Sequence, residues 1–167
     1  YDLVGRFDVT EDLGLDAIDV ISIEDFLVAF STEIDSPHNN FSAGDLLITN
    51  GIVLPNEALL VRFRINYDLG LDALHFIGKR ERIIEFIKGI QGNSISYWEE
   101  NPSRLPKMLE EYGIDVWFSV EGTGPRPEKP RFLDGDLLSA RYAIIIARNR
   151  LFLPPIVPAG IPKRGVD

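Results

Sequence analysis

The sequence predicts a mainly β fold of antiparallel, blade-like sheet repeats with a helical insertion. Three observations carry this expectation. Two parts of the chain match each other in order, the matching parts alternate apolar and polar residues with a period of two, and the stretch between Lys79 and Gly113 switches to helical spacing.

The match is direct. Leu3-Val4-Gly5-Arg6-Phe7 through Asp12-Leu13-Gly14-Leu15-Asp16-Ala17 aligns without a gap on Leu59-Leu60-Val61-Arg62-Phe63 through Asp68-Leu69-Gly70-Leu71-Asp72-Ala73, with nine of fifteen positions identical. Further on, Phe30-Ser31-Thr32-Glu33 and Phe41-Ser42-Ala43-Gly44-Asp45-Leu46-Leu47 return as Phe118-Ser119-Val120-Glu121 and Phe132-Leu133-Asp134-Gly135-Asp136-Leu137-Leu138. Asn56 has its counterpart in Asn149, each just after an apolar run. Repeat one is placed at 12–67 and repeat two at 68–153, with a helical insertion at 80–112 and a Pro-rich tail at 154–167. The repeats then differ by insertions into loops, where closure entropy grows only logarithmically with length.

Within each repeat the pattern is that of short strands. Ile18, Val20 and Ser22 alternate with Ala17, Asp19 and Ile21, and Leu74 and Phe76 alternate with Ala73 and His75, as expected of strands with one buried face. Phe26, Val28 and Phe30 form the next strand, matched by Ile114, Val116 and Phe118. Turns at Gly44-Asp45 and Gly135-Asp136 lead into Leu46–Thr49 and Leu137–Ala140. A fourth strand is expected at Leu59–Ile65, with Leu3–Val9 as its equivalent. Four short antiparallel strands per repeat amount to one blade.

The insertion predicts two short helices, Arg80 to Lys88 with Gly89 as its stop, and a second capped by Ser103 and ended by Gly113, joined by a loop carrying Tyr97 and Trp98. The prolines after Leu153 predict extended structure.

Composition narrows the function classes. An apolar content of 45% supports a real core, and no apolar run approaches the roughly 20 residues needed to cross a bilayer. Cysteine is absent, which excludes disulfides and thiolate chemistry. A net charge of −9 opposes nucleic-acid binding. The charge is also graded: Tyr1 to Val61 holds twelve acids and one base, whereas Arg126 to Arg164 holds eight bases and three acids. The plain reading is of solvated faces that keep the protein soluble; the sharper alternative is that opposite ends attract, within the fold or between neighbouring subunits. The opening at Tyr1, without Met or a leader pattern, reads as a processed protein or an excerpt.

The repeated motifs Gly14-Leu15-Asp16-Ala17, Phe30-Ser31-Thr32-Glu33 and Gly44-Asp45-Leu46-Leu47, with their second copies, resemble those of propeller-type repeat proteins found among uncharacterised exported bacterial proteins. The resemblance implies blade-like repeats and an extracellular or cell-surface location. It implies no activity. The helical insertion and the presence of only two repeats depart from propellers of four or more blades.

Candidate chemistry is sparse. Glu33 with Asp45, and Glu121 with Asp136, have the residue types of acid–base catalysis, but a pair present in each repeat is better explained by turns in which Asp bonds nearby N–H groups. Asp12, Asp16, Asp68 and Asp72 have the oxygen donors that calcium takes, and Asp134 and Asp136 are the metal candidates, although no loop has a calcium-loop spacing. His38 and His75 lack zinc-ligand spacing, and His75 stands in the slot of Asp19. Tyr97 and Trp98 are the binding candidates, as a platform for a sugar or a protein, with core packing as the alternative. No cofactor is expected. The leading expectation is a non-catalytic structural or interaction protein, associating head to tail with copies of itself or with other repeats of a longer chain. A carbohydrate- or protein-binding module is the alternative, and a carboxylate-based hydrolase or lyase stands third.

Overall fold

The computed structural model describes residues 3–125 and 130–151. Two four-stranded antiparallel sheets form, each a simple meander: β1 (Ile18–Ser22), β2 (Leu27–Phe30), β3 (Leu46–Ile48) and β4 (Ile52–Leu54) in one, and β5 (Ala73–Ile77), β6 (Asp115–Ser119), β7 (Leu137–Ser139) and β8 (Ile145–Ala147) in the other. Four helices accompany them, α1 (Asn56–Leu60), α2 (Arg80–Ile90), α3 (Ile95–Glu100) and α4 (Arg104–Tyr112). Among the described residues helix, counting two 3-10 turns, accounts for 26% and strand for 23%, so the expectation of a mainly β fold is corrected to a mixed α/β one. The matched sequences do build equivalent sheets; the insertion supplies more helix than two short segments would.

The first sheet is covered on both faces. Register pairs Phe30 with Leu47 and Leu47 with Val53, and this face packs on Leu3, Val4, Phe7, Val9 and Leu13. The opposite face, Ala29, Leu46, Ile48, Ile52 and Leu54, joins the main core shared with the second repeat. All four residues of β2 are therefore buried, where alternation alone predicts one wet face.

The fourth strand is not where it was expected. Leu59 and Leu60 end α1, and Val61–Phe63 makes a 3-10 turn closed by Arg64 in the left-handed region (φ 65°). The stretch from Leu3 to Asp8 is likewise bend and turn. Ile52–Leu54 and Ile145–Ala147 close the sheets instead. The physical reason is visible at Phe7 and Phe63. A turn lets each ring drop edge-on onto two others: Phe7 onto Phe30 and Phe41 at 6.1 and 5.4 Å, and Phe63 onto Phe118 and Phe132 at 6.5 and 5.3 Å. The match between these stretches is real; its content is a covering plug, not a strand.

The insertion holds three helices. On α2 the buried stripe is Ile83, Phe86, Ile87 and Ile90; Gly89 lies inside the helix, where a Cβ would meet the Tyr112 hydroxyl at 2.4 Å. Tyr97 and Trp98 sit on α3, whose Ser94 hydroxyl accepts the Tyr97 N–H at 3.1 Å. Ser103 precedes α4 without a capping bond, and Gly113 ends it at φ 68°, with its N–H donating to Leu109 and Glu110 carbonyls. Strands β1 and β5 touch directly, α2 packs on β1, α3 on β4, and α4 on β6. The insertion is thus built into the space between the sheets. The Pro-rich tail 154–167 lies outside the described residues.

Candidate functional site

At the contact between the repeats, three side chains of the first, Ser31, Ser42 and Asn56, grip Asp68–Leu71, the segment that leads into β5. The Ser42 hydroxyl donates to Asp68 Oδ2 (2.8 Å), and Asn56 Oδ1 accepts the Leu69 N–H (3.1 Å). Asn56 Nδ2 donates to the Gly44 carbonyl (3.1 Å) and to the Gly70 carbonyl (3.5 Å), while the Ser31 hydroxyl donates to the Leu71 carbonyl (2.9 Å). Asp19 takes the Phe76 N–H at 2.7 Å and meets His75 Nδ1 at 3.1 Å. These bonds read mainly backbone atoms, so they recognise the shape of the segment.

Local chemistry places the grip. Asp45, at the turn into β3, accepts the Ser42 N–H (2.9 Å) with one oxygen and the Asn56 N–H (3.1 Å) with the other. This fixes Asn56, which is fully buried. Gly44 is required because a Cβ there would lie 2.0 Å from Asp68 Oδ1. Burial raises the Asp45 carboxyl to about 6, against the Ser42 and Asn56 N–H bonds, and Asp68 adds to the rise.

The gripped segment has the same form in both repeats. Gly14 and Gly70 lie at φ +70° and +72°, and each N–H returns to the preceding acid, Asp12 Oδ1 at 3.0 Å and Asp68 Oδ1 at 2.8 Å. The N–H of Glu33 donates to the Leu13 carbonyl, and that of Glu121 to Leu69, each at 3.1 Å. A side chain at Gly14 would strike Glu33.

The equivalence exposes two unmatched surfaces. At the front, Leu15, Ile18 and Val20 are 47%, 50% and 55% exposed, while their counterparts Leu71, Leu74 and Phe76, which face repeat one, are 1%, 7% and 4% exposed. At the rear, Asn149 is set as Asn56 is: Asp136 accepts its N–H (2.9 Å) and the Leu133 N–H (3.0 Å), and Asn149 Nδ2 donates to the Asp134 carbonyl (3.3 Å). Asn149 Oδ1, the atom that in Asn56 takes a leader N–H, has no partner among the described residues. Asn149 lines an open cleft of about 560 Å³ with Thr123, Leu133, Asp134, Asp136, Arg148 and Arg150. Ser119, the counterpart of Ser31, donates to Asp72 of its own repeat (3.2 Å).

The carboxylates fall into two kinds. Asp16 is raised by burial and by Asp72, Glu121 and Glu33, and Asp134 by burial and Asp72. For Asp136, burial acts upward but is outweighed by the Leu133 and Asn149 N–H groups and by the Arg148 guanidinium at 2.8 Å, which hold it below the ordinary range. Asp45 and Asp136 spend both oxygens on backbone N–H groups, as turn-forming residues do. Among the described residues no cluster of three or more His, Asp or Glu side chains is arranged to hold a metal ion, and Asp134 and Asp136 form no such set.

Of the binding candidates, Trp98 is fully buried, with its ring edge-on to Tyr97 at 5.0 Å, and lines a pocket of about 190 Å³ with Pro55, Ala58 and Val61. Tyr97 is half-buried against the core. The two rings therefore do not form a shared exposed platform. His38 is exposed. The grip residues Ser31, Ser42 and Asn56 escaped prediction as a set, although Phe-Ser-x-Glu and the Asn56/Asn149 match carried their signal. Neither protein-family models, nor curated proteins, nor solved structures give a match to this chain.

Proposed function

We propose that this chain is a non-catalytic interaction protein whose blade-like repeats associate head to tail with further copies of themselves. One observation carries the reading: each half of the junction between the repeats recurs at the opposite end of the molecule, with no counterpart for its other half among the described residues. Leu15, Ile18 and Val20 present the front half, and Asn149 with its cleft presents the rear half. The acidic front and basic rear favour the same pairing. No helix of the described residues is long and apolar enough to cross a membrane. The resemblance of the repeated motifs to those of exported repeat proteins supports an association outside the cell or at its surface.

At the rear, Trp117 and Ser139 replace Ala29 and Ile48, and Asp115 replaces Leu27, so this face is more polar than the buried one of the first sheet. Half-exposed Leu15, Ile18 and Val20 supply the apolar part, at about 25 cal/mol per Å² covered. A contact between unlike faces closes into a ring or continues as a filament. Sedimentation velocity at low and high salt tests the reading. The expected result is concentration-dependent association that weakens with salt and is lost in V20D; a chain that stays monomeric throughout contradicts it.

A further inference from the structure

We infer that the rear cleft is a seat for an Asp-Leu-Gly-Leu-Asp segment, filled by Asp12–Asp16 of a second copy, and that Asn149 is the residue that reads it. The inference rests on the head-to-tail reading and specifies its recognition chemistry. Inside the molecule the same seat is occupied: Asn56 bonds Leu69 N and Gly70 O, Ser31 bonds Leu71 O and Ser42 bonds Asp68. Asn149 is held by Asp136 as Asn56 is by Asp45, so its carboxamide is in place before any partner arrives. Binding then requires little ordering of the seat.

The ligand is preformed as well. Asp12–Asp16 already holds the left-handed glycine, the Asp12–Gly14 bond and the Leu13–Glu33 bond that Asp68–Asp72 has when gripped. Leu15 stands exposed where Leu71 is buried. On docking, Asn149 Oδ1 takes the Leu13 N–H, its Nδ2 reaches the Gly14 carbonyl, and Ser119 turns from Asp72 to the Leu15 carbonyl.

Two substitutions distinguish this seat from the internal one. Leu133 stands for Ser42, which removes the hydroxyl that holds the leading acid, and Arg148 stands for Pro55. Arg148 and Arg150 line the cleft, so Asp12 meets guanidinium charge in place of a hydroxyl. The internal seat holds Asp68 by a partly buried hydroxyl bond, whereas this one adds exposed guanidinium charge, so salt is expected to weaken it more.

A labelled peptide covering Thr10–Glu33, which keeps the Glu33 partner of Leu13, titrated with the full chain and followed by fluorescence anisotropy, tests the seat. Saturable binding is expected, weakened about tenfold or more by N149A, whose melting point is checked alongside. A peptide carrying Gly14→Ala is expected to bind about tenfold more weakly, because the left-handed backbone is then strained; this variant keeps the test valid should N149A fail to fold. No saturable binding, or equal binding by wild type and N149A, overturns the seat. The two readings separate: peptide binding by a chain that sediments as a monomer supports the seat while contradicting self-association, and self-association indifferent to N149A overturns the seat alone.

Discussion

Val20 and Phe76 occupy the same position of the same strand in two copies of one repeat, yet one is 55% exposed and the other 4%. The strands have equal length and each pairs antiparallel with one neighbour. What differs is what stands in front: Phe76 has the first repeat and helix α2, whereas nothing among the described residues stands in front of Val20 to the same degree. Burial in this molecule is therefore set by the neighbour and not by the motif. Asp45 and Asp136 teach the same lesson in electrostatics. Both accept two backbone N–H bonds at the same turn, but Asp45, enclosed near Asp68, is raised to about 6, and Asp136, beside Arg148, is lowered.

The sharpest way to break the comparison is through the two plugs. Phe63 sits in the core shared by both repeats and Phe7 in the smaller cluster on the first sheet. F63A is expected to lose about 3–5 kcal/mol in urea unfolding, and F7A less, because fewer neighbours line its cavity. Equal losses would mean that the repeats do not share one core.

A smaller effect sharpens the electrostatic half. Folded Asp45 holds its proton up to about 6 whereas the unfolded group releases it near 3.8, so its contribution is full below 3.8 and is lost as pH rises through about 6. The loss is at most about 3 kcal/mol. Asp136 runs oppositely: its contribution is present above 3.8 and is lost as pH falls. Melting points measured across this window are expected to fall with rising pH in wild type and to fall less in D45N. Parallel profiles would remove Asp45 as the cause.

Much of the architecture was legible in the residues. The gapless match around Asp-Leu-Gly-Leu-Asp-Ala located both leaders, and period-two alternation located β1, β2, β5 and β6. The Leu3–Val9 and Leu59–Ile65 stretches misled because apolar spacing in a short run does not separate a strand from a turn that plugs a sheet. The balance of helix and strand was missed at Ile95–Glu100, where one Ser cap starts a helix that reads as loop. The grip itself was only half legible. Asn56 and Asn149 stood out as a matched pair, but that one carboxamide reaches a segment leading into the next repeat depends on chain folding that no local pattern records. The exposure of Ile18 and Val20 was illegible for the same reason: their alternation marks an apolar face and is silent on what covers it.

The chain contains no cysteine, which allows a direct test of head-to-tail contact. Positions 133 and 12 correspond to Ser42 and Asp68, whose side chains touch at 2.8 Å across the internal junction. Chains carrying Leu133→Cys and Asp12→Cys are mixed under mild oxidation and resolved on a non-reducing gel, with Lys107→Cys, an exposed position on α4, replacing Leu133→Cys as the control. A covalent dimer is expected to form between Leu133→Cys and Asp12→Cys faster than in the control; equal rates for the two mixtures would rule out the head-to-tail contact.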